Sequence, residues 1–225
     1  MTRAMRIAID GPAAAGKSTI AKLVAKKLGY TYIDTGAMYR AITYKVIQSS
    51  VDPHEEEEVA KLIGRSEIEL EQGNEAQKVL LDGADVSEAI RSHEVTSQVS
   101  AIAALPSVRQ LLMEKQQNLA KDRSVVMDGR DIGTTVLPDA ELKIFMTASV
   151  EERAQRRLLE EQLRGMKSDY ETLKREITER DKADSERKIS PLKKAKDAII
   201  IDTTGKTIEE VTNMIVEYAE KRLAR

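Results

Sequence analysis

The chain has no cysteine and no tryptophan, one phenylalanine and two histidines among its 225 residues. Without cysteine there can be no disulfide framework and no thiolate metal site. His54 follows Pro53 in a polar stretch and His93 sits among charges. Both read as surface residues, and an imidazole-based metal centre or nucleophile triad is not expected. An excess of one charge is missing as well. Lys and Arg number 36 against 38 Asp and Glu, a net charge of −2. A nucleic acid polymer is therefore not an expected partner, and any anion recognition must come from locally placed arginines. No hydrophobic run approaches a membrane span, and residues 1–6 lack the apolar core of a secretion signal. A cytoplasmic protein is expected. It is also expected to be a monomer, since no long apolar stripe is left over, and its length suits one medium domain, or one domain carrying small insertions.

What is present alternates between two periods. Arg6–Asp10 is a short apolar run ending at Gly11-Pro12, and it reads as a buried strand. Ile20, Leu23, Val24 and Leu28 recur at helical spacing up to Gly29, a C-cap signal. Residues 31–33 give a second strand, and Met38, Ile42, Val46 and Ile47 mark a helix after Gly36. The middle differs. Glu55–Glu58 resembles an acidic helix start, and Ile68 and Leu70 alternate with glutamates. Turns near Gly73-Asn74 and at Asp82-Gly83 then frame Val79-Leu80-Leu81 and Val86, a small β-meander. A helix follows Pro106 to about Lys121, and strands are expected at 125–127 and 142–145 with a loop between, at 129–139. An Arg-rich helix over 150–163 and a charged helix over about 170–187 precede a last strand (198–201) and a last helix (208–223). Strands alternating with helices predict an α/β fold whose central parallel sheet is covered on both faces.

Gly11-Pro12-Ala13-Ala14-Ala15-Gly16-Lys17-Ser18, followed by Thr19, fits G-x-x-x-x-G-K-[ST] between a strand and a helix. The glycines let the backbone curl so that its N–H groups point at phosphate oxygens, and the helix start adds its positive dipole end. Lys17 is expected at the β- and γ-phosphates of ATP, with the Ser18 hydroxyl on Mg²⁺. Asp128 ends a strand and is placed to hold a water on that ion, or else forms the turn before Gly129. The bland alternative for the whole motif is a Gly-rich turn. A guanine-reading N-K-x-D is absent.

Six segments in order resemble the bacterial cytidylate kinases, of the nucleoside monophosphate kinase family: IAIDGPAAAGKST, DTGAMYR, SQVSAIAALPSVR, DGRDIGTTVLPDA, EERAQRR and RDKADSERKISPL. The resemblance covers essentially the whole chain. It implies a P-loop kinase fold in three layers, with a core domain over 1–36, 106–150 and 188–225. It further implies a monophosphate-binding domain carrying the β-meander over 37–105, and a helical lid over 151–187. It implies Mg²⁺-dependent transfer of the ATP γ-phosphate to CMP or dCMP. Arg40, Arg130 and Arg187 resemble the clamps on the acceptor phosphate, whose oxygens suit planar guanidinium forks. Ser100, Arg109 and Asp131 resemble the cytosine readers. Carboxylate and hydroxyl can accept from the ring's amino group, while arginine donates to N3 and O2. Asp184 resembles the ribose contact, and Thr35 lies beside the acceptor. Arg180, with Arg187, resembles the pair approaching the transferring phosphate, and Arg153 and Arg157 the lid arginines on ATP. Two departures are visible. Ala13-Ala14-Ala15 stands where many relatives carry another glycine, and Thr135 where they often carry an apolar residue.

Other readings of the same residues stay open. Arg180, Asp184 and Arg187 fall at i, i+4 and i+7, so a surface salt-bridge ladder would look identical. Glu152 and Arg156, at i and i+4, are read as such a ladder. A kinase for another small acceptor (UMP, dTMP or shikimate) is the nearest alternative. A nucleotide-binding module or ATPase switch without a phosphorylated product is a more distant one.

Overall fold

The computed structural model describes residues 4–49, 51–73, 77–163 and 165–224. Asn74, in one of the expected turns, and residues 1–3 of the N-terminal segment lie outside the described residues. In chain order the elements are β1 (Arg6–Asp10), α1 (Lys17–Leu28), β2 (Thr31–Asp34), α2 (Thr35–Ser49), α3 (Glu56–Gly64), β3 (Ile68–Glu71), β4 (Lys78–Leu81) and β5 (Ala84–Asp85). They continue with α4 (His93–Ile102), α5 (Pro106–Ala120), β6 (Val125–Gly129), β7 (Leu142–Thr147), α6 (Val150–Leu163), α7 (Tyr170–Glu186), β8 (Ile199–Asp202) and α8 (Ile208–Leu223). A 3₁₀ turn lies at Ala89–Arg91 and a π-helical turn at Ile132–Val136.

The chain divides into two compact units, one of Met1–Tyr32 with Asp122–Arg225 and one of Ile33–Lys121. Each closes its own apolar core. The first is built on the five-stranded sheet, in the order β2-β6-β1-β7-β8. β1 lies parallel to both β6 and β7, with Ile9 opposite Asp128 and Ile144, and β7 lies parallel to β8. Ile7, Ala8 and Ile9 have no exposed surface. That is what a parallel strand covered on both faces requires, and it explains why RIAID reads as an unbroken apolar run. Helix α1 packs Ile20, Ala21, Val24 and Ala25 into this core with Val211, Ile215 and Ala219 of α8. It ends at Gly29, whose φ of 68° lets its N–H turn back to the Lys26 carbonyl. Helix α8 starts with a reciprocal cap in which Thr207 and Glu210 bond each other's backbone N–H.

In the second unit Met38, Ala41, Ile42 and Val46 of α2 pack with Val59 and Ile63 of α3, Val79 and Leu81 of β4, and Val108 and Leu112 of α5. β3, β4 and β5 form the expected antiparallel meander. Its Asp82-Gly83 turn has φ of 52° and 79°, the hairpin geometry that matches strand twist.

Two elements differ from the sequence expectation. Residues 93–102, to which the patterning assigns nothing, form α4. Ser92 caps it by accepting from the Val95 N–H, and Val95, Val99 and Ile102 supply a short buried stripe. The segment read as a loop between β6 and β7 contains the π-helical turn, closed by Val136 and Leu137 N–H bonds to the Asp131 and Ile132 carbonyls. Five residues are too few to show a period, and the turn is pinned from β1, by Asp10.

Candidate active site

In the first unit the phosphate-binding sequence forms a loop between β1 and α1. Gly11 has φ 151°, and a Cβ there would lie 2.2 Å from the Met146 carbonyl oxygen. Only glycine lets the loop leave the sheet so close to β7. Gly16, at φ 81°, is the N-cap of α1 and offers no side chain to its first N–H groups, which leaves them for an anion. Lys17 is the first helical residue, 5% exposed, and its Nζ donates to the Pro12 carbonyl at 2.6 Å. Burial drives its pKa well below the usual lysine value, with the Arg130 and Arg180 guanidinium charges adding to the fall and Asp128 and Asp10 opposing it.

Ser18 Oγ donates to Asp128 Oδ2 at 2.8 Å, and Tyr32 Oη donates to Asp128 Oδ1 at the same distance. A hydroxyl and a buried carboxylate at a phosphate loop are hard oxygen donors of the kind Mg²⁺ takes, so these residues fit that ion. Thr19, the next residue of the motif, is exposed.

The same unit holds an arginine–carboxylate network. Arg130 Nε donates to Asp184 Oδ2 at 2.9 Å, and Arg187 pairs with Asp131 at 3.4 Å and lies 3.9 Å from Asp184. Burial alone would raise the pKa of Asp184, yet Arg130, Arg180 and Arg187 hold it below the ordinary carboxylate value. Arg187 Nε is fixed on the Ser190 carbonyl at 2.6 Å. Asp10, at the end of β1, accepts the Ile132 and Gly133 N–H groups, both at 2.8 Å. It thereby anchors the turn that immediately follows Arg130 and Asp131. Burial, with Asp131 nearby, raises its pKa to about 6 against the pull of those two bonds and of Lys17.

Helices α6 and α7 bring further arginines. Arg153 donates to the Ala13 carbonyl at 3.0 Å and pairs with Asp181. Arg156 donates to Thr203 Oγ1 and to the Thr203 carbonyl, at 3.0 and 2.8 Å, besides pairing with Glu152. Its Nη1 lies 3.9 Å from where a Gly16 Cβ would stand. Arg157 pairs within its own helix, with Glu161 at 2.6 Å.

The second unit presents a different set. Asp34 Oδ1 caps α2 by accepting the Ala37 N–H at 2.8 Å, and its Oδ2 pairs with Arg40 at 3.3 Å. A Cβ on Gly36 would come within 3.1 Å of Arg40 and 3.2 Å of Asp34, so glycine clears the way for that pair. Arg40 Nε is buried with no hydrogen-bond partner among the described residues. Arg109, on α5, lies over the Tyr39 ring at 5.4 Å and donates to the Ala103 carbonyl at 3.0 Å. Thr35 is the buried first residue of α2, and Ser100 is half-buried on α4.

A family model described as Cytidylate kinase matches residues 7–221. The chain belongs to the cytidylate kinase family. It is 58% identical to a cytidylate kinase of Bacillus cereus over 225 residues, all of both chains. It is 56% identical to that of Bacillus subtilis over 222 residues, 99% of each. Among solved structures, an uncharacterized protein from Eubacterium ventriosum aligns over 96% of this chain and 98% of its own at 14% identity, with a TM-score of 0.55. TT1252 from Thermus thermophilus covers 98% of both chains at 18% identity and a TM-score of 0.50, a likeness of fold alone.

Within this cytidylate kinase family chain, residues that the sequence names separately meet in three dimensions. In the first unit Arg130, Asp131, Asp184 and Arg187 form one network, although Asp131 and Arg187 are 56 residues apart. Lys17, Arg130 and Arg180 lie close enough to depress one lysine pKa. Arg157, by contrast, is engaged in an intrahelical pair with Glu161. Arg156, read as ladder alone, does pair with Glu152 but also reaches Thr203 and the phosphate loop. Four groups went unnoticed in the sequence: Asp10, Tyr32, Arg156 as a neighbour of Gly16, and Asp181. Each is disclosed only by a partner far away in the chain, save that Asp10 ends the strand leading into the loop, where a carboxylate interrupts an apolar run.

Proposed function

We propose that the protein transfers the γ-phosphate of ATP to CMP or dCMP, giving ADP and CDP or dCDP. The observation that carries this reading is the gathering of Lys17, Arg130 and Arg180 around a helix N-terminus in one compact unit. Three cations held together repel one another, a cost that Asp128, Asp10 and Asp184 offset in part and that phosphate anions joining them offset further. Membership of the cytidylate kinase family supports the acceptor. The names of the Bacillus relatives point to the same ring.

The acceptor phosphate is already anionic, so no general base is needed. Its oxygen attacks the γ-phosphorus; the new P–O bond forms as the bond to the β,γ-bridging oxygen breaks, and that electron pair leaves with ADP. The protein's part is alignment and charge neutralisation. In this reading the free loop amides between Gly11 and Thr19, Pro12 having none and that of Ala13 being held by Asp181, cradle the ATP phosphates and Lys17 follows the transferring group. Arg130, Arg180 and Arg187 oppose the charge shared by donor and acceptor, and Arg40 holds the acceptor phosphate. Ser100, Arg109 and Asp131 read cytosine, Asp184 serves the ribose, and Thr35 lines the acceptor. Arg157 belongs to the lid over ATP, whose closure keeps water from becoming the acceptor, and Arg153 belongs to the same lid through the Ala13 carbonyl that it holds. Mg²⁺ would be held by Ser18, with Asp128 acting through a water, and supplies further neutralisation of the phosphate oxygens. The domains are those given by the resemblance, a core, a monophosphate-binding domain and a lid, and the enzyme works as a cytoplasmic monomer. No helix among the described residues is long and apolar enough to cross a membrane.

The test is an acceptor panel with ATP and Mg²⁺: CMP, dCMP, UMP, dTMP and shikimate, following ADP release and the phosphorylated product. CMP or dCMP should exceed every other acceptor in kcat/KM by at least about 100-fold, the scale on which a site built to hydrogen-bond one ring edge rejects another. Equal turnover of UMP would remove the cytosine assignment. ADP release with no acceptor would point to an ATPase.

A further inference from the structure

One residue of the phosphate loop is held in a way that its sequence motif does not call for. The Ala13 N–H donates to Asp181 Oδ1 at 3.0 Å, and the Ala13 carbonyl accepts from Arg153 Nη1, also at 3.0 Å. The same Nη1 pairs with Asp181 Oδ2, which closes a ring of three interactions around a single residue. Arg153 is anchored again through Nε, on the Ala148 carbonyl at 3.1 Å. The Arg153 side chain is 4% exposed and that of Asp181 19%, so the ring is shielded from competing water. Next in the chain stands Ala14, with φ at 56°. A residue with a Cβ enters that left-handed region at a cost, and persists there where its surroundings over-determine it. Here both polar groups of the preceding residue are tied to one ion pair.

We propose that the Arg153–Asp181 pair is a positioning brace for the phosphate loop. It sets the Ala13-Ala14 crest so that the loop amides point correctly before ATP arrives, and it ties the loop to α6 and α7. Asp181 acts on the nucleotide through Ala13. Arg153 spends its fork on the same residue and on Ala148. Preorganised donors bind an anion without the ordering cost that a loose loop would incur. The inference rests on the nucleotide reading of this loop, but not on the identity of the acceptor.

The experiment measures binding of a fluorescent N-methylanthraniloyl ADP to the full chain, alongside KM for ATP and for CMP. The variants are Asp181→Ala, Asp181→Asn, Arg153→Ala and the Arg153→Ala/Asp181→Ala pair. Glu151→Gln is the control. Glu151 pairs with Lys174 at 2.9 Å, so its loss loosens the same two helices away from the loop. Asp181→Ala should weaken ADP-analogue binding and raise KM for ATP about tenfold, with KM for CMP moving less than about twofold. The double variant should be no worse than the poorer single one, since the two side chains act as a unit. Asp181→Asn still accepts the Ala13 N–H but loses the charge, and should fall between. Glu151→Gln should match the wild type.

Unchanged or tighter binding in Asp181→Ala would overturn the proposal. Tighter binding would mean that the carboxylate competes with phosphate instead of preparing its site. Single effects that add in the double variant would overturn it too. If Asp181→Ala fails to fold, Asp181→Asn decides the matter, and wild-type affinity there counts against the brace. Because ADP binding needs no acceptor, a protein that binds the analogue but spares CMP defeats the cytidylate reading alone.

Discussion

The two compact units solve the problem of buried charge in opposite ways. In the first, cations and carboxylates interlock. Arg130 is spent on Asp184, Arg187 on Asp131 and Ser190, Arg153 on Asp181 and Ala13, and Ser18 on Asp128. Lys17, whose ammonium donates to the Pro12 carbonyl, is the strained member, pressed by burial and by two arginines. In the second, buried charge is sparse, confined among the described residues to Asp34 and Arg109, and donors are left over. Among the described residues Arg40 has one partner and a buried Nε with none, and Gln116 is buried with neither amide atom bonded. A prepaired network keeps its geometry whatever binds and suits chemistry that demands alignment. A donor held in reserve suits recognition of a polar molecule that completes it.

Substitutions can break or sharpen this contrast. The largest effect is expected from Lys17→Ala, which should lower kcat for phosphoryl transfer by at least about 1,000-fold. Thermal unfolding should show no loss of stability, because the variant removes a buried charge that its neighbours repel. A variant that lost stability and kept turnover would reverse the account of the first unit. Arg187→Lys is next. It keeps the charge but cannot span Asp131, Asp184 and Ser190 at once, and about 100-fold in kcat/KM should go. Near-normal turnover would make the network a ladder. Arg40→Ala, in the second unit, should raise KM for CMP about tenfold and move KM for ATP by less than about twofold, which steady-state titration of each substrate resolves. An equal effect on both would erase the difference between the units.

The smallest effect concerns Asp10 and pH. Its folded pKa of about 6 lies above the ordinary aspartate value of 3.8. The folded state therefore holds the proton more tightly, and stability declines as pH rises through that window. Between pH 5 and pH 7, the wild type should lose about 1 kcal/mol more than Asp10→Asn in denaturant unfolding, the linkage for one such group. An equal pH slope in both proteins would show that Asp10 titrates at its ordinary value.

Much of the fold was legible because the relevant signals are local. RIAID and the Ile20–Leu28 stripe with Gly29 sit where the apolar period places them, and the helices expected over 150–163 and 208–223 form over those residues. The Asp82-Gly83 turn forms because both residues tolerate positive φ. The missing elements lack such signals. α4 shows only three buried apolar positions, and the π-helical turn depends on a carboxylate from another strand. The candidate site divides in the same way. The phosphate loop declares itself within eight residues, since glycine, lysine and serine must follow one another for the loop to work. Asp10, Tyr32 and Asp181 do not declare themselves, because Asp181 meets Ala13 across 168 residues and Tyr32 meets Asp128 across 96.

The order of residues alone determined the strand–loop–helix that can hold a phosphate, the alternation that builds a parallel sheet, and the resemblance to one kinase family. Backbone conformation and apolar period act over a few residues, and a chain carries that information openly. Which arginine faces which carboxylate, which lysine is left under strain, and which ion pair grips Ala13 were decided by the tertiary structure. Electrostatic energies fall with distance in space, and distance in space is set only once the sheet and its helices have closed.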